Sequence, residues 1–202
     1  HMVVNYNEAD SIGRPAVFFS GTGANNNNLR RSMYTIGIDS KSFRMPLDEG
    51  LSREDRLMAE KLEELQMAKD TISEAYYQLL HTDALFDNLG SKHALIRASL
   101  NGSDKTVDEK RALARHYYTF LDTLTLKPEY LSSREFRGFL NFYLEYINRI
   151  VTGRDVWYEA SDNNIYLARS IFEPGILKTF LFERLTMQME EWEFYRTRAD
   201  QY

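Results

Sequence analysis

The residues able to do chemistry are few in kind and scattered along this chain of 202 residues. Cysteine is absent, which excludes disulfides, thiol catalysis and cysteine-based zinc sites. The histidines show neither i,i+3 or i,i+4 pairing nor the H-E-x-x-H spacing of a zinc site; they are His1, His81, His93 and His116. No local motif indicates a Ser/His/Asp set either. We therefore predict no catalytic residues, no metal site and no cofactor.

A glycine- and asparagine-rich segment comes nearest to a known binding motif. Residues 21–28 read G-T-G-A-N-N-N-N, and they follow the apolar, β-prone Ala16–Ser20. The third glycine of the G-x-G-x-x-G fingerprint is replaced by Asn26, and no G-x-x-x-x-G-K-[ST] sequence occurs. We interpret the segment as a strand-to-helix turn, in which glycine supplies conformational freedom and asparagine caps the helix start.

Charge and hydropathy exclude two classes of partner. The net charge is -5, from 25 basic and 30 acidic residues, whereas nucleic-acid binding depends on clustered Lys and Arg that neutralise phosphates. A membrane-spanning helix needs a run of about 18 apolar residues, and none occurs. We therefore expect no nucleic-acid partner and no membrane span.

The apolar residues predict a mainly α fold, a bundle of about five to seven helices with at most a short N-terminal strand. The clearest helix covers 133–151, where one wide apolar face follows the 3.6-residue period. That face consists of Phe136, Phe139, Leu140, Tyr143, Leu144, Ile147, Ile150 and Val151. Segments 57–89 and 176–192 supply matching faces. In the last helix the matching positions are Leu177, Phe180, Leu181, Leu185, Met189 and Trp192.

The same patterns predict three regions along the chain. Residues 1–15 are read as a cloning remnant followed by a flexible lead-in, because they are polar and contain Gly13 and Pro15. Residues 16–195 are predicted to form a single helical domain. Residues 196–202 lose the apolar period and are read as a tail or linker.

Three stretches of the sequence resemble those of a known family. They are FFSGTGANNNNL at 18–29, LSSREFRGFLNFYLEY at 131–146 and YLARSIFEPGILKTFL at 166–181. Together they resemble segments of Bacteroidetes envelope proteins in the TlpA-like thioredoxin family, over about residues 16–195. In that family a helical region precedes a thioredoxin-like domain that carries a Cys-x-x-Cys site.

The resemblance implies a location in the cell envelope or periplasm and a covalently linked thioredoxin-like domain as partner. Since this sequence contains no cysteine, any dithiol chemistry would lie outside it. Residues 16–195 would then form an accessory helical region, which is not itself an enzyme.

Three functions are compatible with these features. The first is a non-enzymatic scaffold or interaction domain of a thioredoxin-like envelope protein, which forms a homodimer or docks a protein partner. The second is a free-standing helical module that binds a ligand or peptide. Its expected surface consists of Tyr143, Tyr146, Trp157 and Trp192. The third, a hydrolase or transferase that uses carboxylates, ranks last because no catalytic constellation is evident.

Overall fold

The computed structural model describes residues 2–9, 15–21, 27–30, 41–148 and 160–199. This part of the chain is mainly α, which confirms the predicted multi-helix fold class. The chain divides into two compact units, His1–Gly102 and Ser103–Tyr202, whereas the sequence predicts a single helical domain over 16–195. The division falls in the polar turn cluster at 101–104, whose mostly exposed residues have little apolar surface to bury.

The first unit contains a two-stranded antiparallel sheet of β1 (Met2–Ala9) and β2 (Pro15–Gly21). The predicted strand at 16–20 is confirmed by β2. Most of the predicted lead-in, by contrast, belongs to β1, in which Val4 pairs with Phe19. Two valines and a tyrosine make β1 strand-prone, and a partner strand nearby in sequence satisfies its backbone groups.

Two long helices follow in the same unit, α1 (Leu47–Met67) and α2 (Glu74–Asn101). Short 3₁₀ turns at Ser42–Arg44 and Lys69–Thr71 precede them. Helix α2 is capped by Ser73, whose hydroxyl accepts a hydrogen bond from the Tyr76 amide at 3.3 Å. The two helices pack antiparallel, and Leu65 of α1 forms a buried cluster with Leu80 and Ala84 of α2.

Helix α2 is buried on two sides rather than one. One set of buried residues lies along the side that includes the α1 contacts: Leu80, Ala84, Asn88, Ser91 and Leu95. A second set lies on the opposite side at the same helical period: Thr82, Phe86, Leu89, His93, Ile96 and Leu100. This distribution is typical of a helix in the interior of a fold.

The second unit contains four helices in its described part: α3 (Val107–Tyr117), α4 (Arg134–Tyr146), α5 (Ala160–Ile171) and α6 (Pro174–Ala199). Short 3₁₀ segments at Thr119–Leu121 and Pro128–Ser132 lie between α3 and α4. Thr106 and Glu109 close the start of α3 with a reciprocal capping box.

Helix α4 has the buried apolar face that its sequence predicts. Phe136, Phe139, Leu140 and Leu144 are all buried. The predicted cap is also present, since the Ser133 hydroxyl accepts a hydrogen bond from the Phe136 amide at 3.0 Å. Positions 149–151, at the end of the predicted face, lie outside the described residues.

Helix α6 agrees with its prediction only in part. Among the α6 residues whose burial is described, Ile176 and Phe180 are buried, and Phe180 belongs to the predicted face. Leu185 and Met189 of that face are exposed. The prediction is wrong for Leu185 and Met189 because α6 has apolar residues on two sides, and the 3.6-residue period does not tell which side is covered. The helix also continues through 196–199, which the sequence pattern assigns to the tail.

Candidate functional site

Two of the four residues predicted to form a binding surface lie side by side on α4. The ring centroids of Tyr143 and Tyr146 are 6.3 Å apart, and Tyr146 also contacts Tyr118 at 5.1 Å. Phe139 lies 6.2 Å from Tyr143. Tyr143 is half-buried, but Tyr146 is only 8% exposed. This aromatic cluster is therefore mostly part of the core of the second unit.

The hydroxyl group of Tyr146 is already hydrogen-bonded within the protein. It donates a hydrogen bond to Oδ1 of the exposed Asp122, at 3.1 Å. Burial, together with this bond to a carboxylate, raises the pKa of Tyr146 to about 12. Burial also raises the pKa of Tyr143. Both phenols are therefore neutral at physiological pH, and Tyr146 ties the end of α4 to the segment after Leu121.

The other two predicted surface residues are not brought to this cluster by any described contact. Trp157 lies outside the described residues. Trp192 is a position of helix α6, and only its backbone is described. The predicted four-residue surface therefore stays a prediction for its tryptophans, while its tyrosines form one aromatic cluster.

A different surface is open on helix α6. Phe182, Leu185 and Met189 are 69%, 59% and 68% exposed, although all three are large and apolar. Their spacing of three and four residues places them in one row along the helix. We call this row the α6 ridge. Lys178, also exposed, is one turn before its first residue.

The opposite side of α6 fixes which way the ridge faces. Ile176 and Phe180 are buried in the second unit, and the Phe180 ring meets the Phe172 ring edge-on at 5.5 Å. Further along the helix, the guanidinium of Arg137 donates a hydrogen bond to the Glu183 carboxylate. The same guanidinium donates to the carbonyl of Leu131 at 2.7 Å.

These contacts hold α6 against α4 and the Pro128–Ser132 turn by its inner side. Rotating the helix to bury the ridge would remove both the apolar contacts and the ion pair. The ridge is therefore a fixed feature of the described surface of this unit.

The first unit contains charged groups between its helices, but they pair with one another. Lys61 of α1 contacts Asp87 of α2 at 2.6 Å, and Lys92 of α2 contacts Asp55 of α1 at 2.5 Å. The Lys61 side chain is only 8% exposed. Both pairs therefore join the two helices, and removing one partner of the Lys61–Asp87 pair would leave the other charge uncompensated.

A buried carboxylate near the start of α1 is also occupied by a structural contact. Glu54 accepts a hydrogen bond from the Ser42 hydroxyl at 2.7 Å, and both residues are buried. This bond attaches the Ser42–Arg44 turn to α1. Gly50 permits the approach, because an added Cβ would lie 3.0 Å from the Ser42 carbonyl oxygen.

Neither a metal cluster nor a membrane-spanning helix is present among the described residues. No group of three or more His, Asp or Glu side chains is placed to hold a metal ion there. No helix in the same part of the chain is long and apolar enough to cross a membrane.

Comparison with known proteins identifies no relative. The chain matches no family model, and no curated protein or solved structure is significantly similar to it. The resemblance to TlpA-like proteins therefore stays a prediction. The fold and the exposed ridge define a mainly α protein with an apolar surface on its last helix.

Sequence reasoning missed the α6 ridge because it took the apolar residues of the last helix as one buried face. Phe182 is not part of that predicted face. The signal was nevertheless present, since Phe182, Leu185 and Met189 repeat at steps of three and four on the side opposite Ile176 and Phe180. A helix that is apolar on two sides needs two partners.

Proposed function

We propose that this chain is a non-enzymatic helical interaction domain, and that the α6 ridge is the surface by which it docks a protein partner. The observation that carries the proposal is the exposure of three large apolar side chains in one row, on a helix whose other side is packed. Removal of such a row from water favours association, and the entropy lost when two chains associate offsets part of this gain.

The shape of the ridge favours a helix as the docking element. The row follows i, i+3 and i+7 on the convex surface of a single helix, and such rows fit between the side chains of another helix. A small ligand would need a concave site that surrounds it. The α6 ridge is thus suited to helix-to-helix packing.

The charged groups of the first unit support a scaffold role for that unit. The Lys61–Asp87 and Lys92–Asp55 pairs join α1 to α2 at two levels, and the Ser42–Glu54 bond attaches the Ser42–Arg44 turn to α1. The two ion pairs fix the geometry of the helix pair.

We also propose that this domain belongs to a thioredoxin-like protein of the cell envelope. Its support is the resemblance of residues 18–29, 131–146 and 166–181. In this setting the domain would hold or orient a linked dithiol domain. Sequencing the native gene across the codon for Tyr202 and beyond tests it, since a Cys-x-x-Cys segment in a strand-rich context is expected.

The alternative, a ligand- or peptide-binding module, rests on the neighbouring rings of Tyr143 and Tyr146. It ranks second because Tyr146 is buried and its hydroxyl is bound to Asp122. Of the two tyrosines, only the half-buried Tyr143 would be available to a peptide.

Site-specific photo-crosslinking tests the docking proposal. A photoreactive phenylalanine analogue replaces Leu185 in the ridge or, as a control, the exposed Ala112 of α3. Both proteins are made in cells that naturally express this chain and are then irradiated. We expect a discrete covalent adduct from position 185, identified by mass spectrometry, and none from position 112.

The adduct must also depend on the rest of the ridge. Introducing Phe182→Glu beside the photoreactive residue should abolish it, because a carboxylate cannot be buried in an apolar contact without a large cost. Equal labelling from positions 185 and 112, or an adduct insensitive to Phe182→Glu, would contradict the proposal.

A further inference from the structure

We propose that the partner of the α6 ridge is a second copy of this chain, which packs its own α6 antiparallel to the first about a two-fold axis near Leu185 and Thr186. This inference rests on the proposed function and names the occupant of the same surface. A two-fold interface requires a surface that complements itself. The ridge meets this requirement in both its spacing and its flanking charges.

The spacing of the ridge is compatible with antiparallel self-packing. With the axis between positions 185 and 186, Phe182 lies opposite Met189 of the partner subunit, and Met189 lies opposite the partner subunit's Phe182. Leu185 then meets Thr186 near the axis. A large Phe182–Met189 contact thus lies on each side of the smaller Leu185–Thr186 contact. The side chains of one ridge therefore fill the spaces between those of the other.

Charge favours this alignment over one of the two alignments that differ from it by three residues. In the proposed alignment Lys178 lies opposite position 193 of the other helix, which is a glutamate in the sequence. Sliding one helix by three residues would place Phe182 opposite position 192. It would also bring Lys178 opposite position 196, which is an arginine. Opposite charges favour the first alignment, and like charges oppose the second.

The apolar area of the ridge sets the expected affinity of the dimer. Three partly exposed side chains offer a few hundred Å² per copy, below the roughly 800 Å² per partner of a standard stable interface. We therefore expect a reversible dimer that depends on protein concentration. Its population should rise over the micromolar range rather than being complete at the lowest concentrations.

The absence of cysteine makes the alignment directly testable by disulfide trapping. Thr186→Cys leaves the ridge intact and places a thiol next to the axis, beside the same thiol of the other copy. Lys178→Cys is the matched control on the same helix. In the proposed dimer the two cysteines at position 178 would lie about 22 Å apart along the helix axis, given a rise of 1.5 Å per residue. A disulfide requires Cα atoms within about 7 Å.

Each purified variant is oxidised at equal concentration and analysed on a non-reducing gel. A third variant, Val107→Cys on the exposed start of α3, measures random collision. We expect several-fold more covalent dimer from Thr186→Cys than from Lys178→Cys or Val107→Cys. Adding Phe182→Glu to Thr186→Cys should lower its yield to the level of the controls.

A charge exchange tests the alignment without any thiol. Lys178→Glu should lower the dimer fraction measured by light scattering, and adding Glu193→Lys should restore it. Equal disulfide yields from all three positions, or a monomeric mass at every concentration, would overturn the inference. If photo-crosslinking at Leu185 still captured a different protein, the proposed docking function would stand and only the choice of partner would fail.

Discussion

The contrast between Leu140 and Leu185 provides the sharpest test of how the second unit is packed. Both are leucines within helices of that unit, but Leu140 is fully buried and Leu185 is 59% exposed. Truncating Leu140 to alanine removes groups worth about 0.8 kcal/mol for each buried CH₂, and it leaves a cavity. We expect Leu140→Ala to lower the free energy of unfolding by about 3 to 4 kcal/mol.

At protein concentrations too low for the proposed dimer, the matched variant Leu185→Ala should change the free energy of unfolding by no more than about 0.5 kcal/mol. Most of the Leu185 side chain is already in water, and alanine has a slightly higher helix propensity than leucine. For a unit of this size, 1 kcal/mol corresponds to roughly 4 to 8 °C in Tm. Leu140→Ala should therefore lower the Tm by roughly 12 to 32 °C, whereas Leu185→Ala should leave it nearly unchanged.

Tryptophan fluorescence is the suitable readout. Both tryptophans of the chain, Trp157 and Trp192, belong to the unit Ser103–Tyr202. Their emission during heating or urea titration therefore reports the unit that contains the mutations. Equal losses from the two variants, or an unchanged transition for Leu140→Ala, would show that the buried side of this unit has been assigned wrongly.

Three further predictions concern glycine, buried charge and pH. Gly138→Ala should raise the free energy of unfolding by about 1 kcal/mol, because nothing lies near the added methyl group. Gly50→Ala should lower the free energy of unfolding, because its added Cβ would lie 3.0 Å from the Ser42 carbonyl oxygen. Equal gains in urea titrations would refute this difference. Lys61→Met alone should lower the free energy of unfolding by about 2 kcal/mol, because it leaves Asp87 unpaired. Combining Lys61→Met with Asp87→Leu should recover most of that stability in a double-mutant cycle measured by circular dichroism. Additive losses from the two changes would contradict this prediction. Since the pKa of Tyr146 is raised in the folded state to about 12, from an ordinary value of about 10, its contribution to stability is complete below pH 10 and is lost as the pH rises toward 12. Tyr146→Phe should flatten that alkaline loss, and an identical alkaline profile for both proteins would count against the assignment.

Local sequence patterns predicted those parts of the fold that depend on local interactions. Helix α4 combines a wide apolar face with a serine cap, and both features are present. The strand at 16–20 was predicted from its β-prone residues, but its partner β1 was not. Pairing depends on contact between separate segments, and the polar residues of β1 conceal its strand propensity.

The candidate site was predicted only in part, for a related reason. Tyr143 and Tyr146 lie together because they are three residues apart on one helix. The exposure of Leu185 and Met189 could not be derived from spacing, because apolar residues occur on both sides of α6. Which side is covered depends on the contacts of Phe180 with Phe172 and of Arg137 with Glu183, and spacing along α6 alone does not reveal these contacts.

The division of the chain at Gly102 and Ser103 has a consequence for how this protein can be manipulated. Residues 101–102 and 104–106 are exposed, and the chain there leaves one compact unit and enters the other. A protease would find accessible peptide bonds at this junction, and an inserted tag or fluorescent reporter would displace few packed side chains. The same junction is the rational place to split the gene when a two-part complementation reporter is built from this chain.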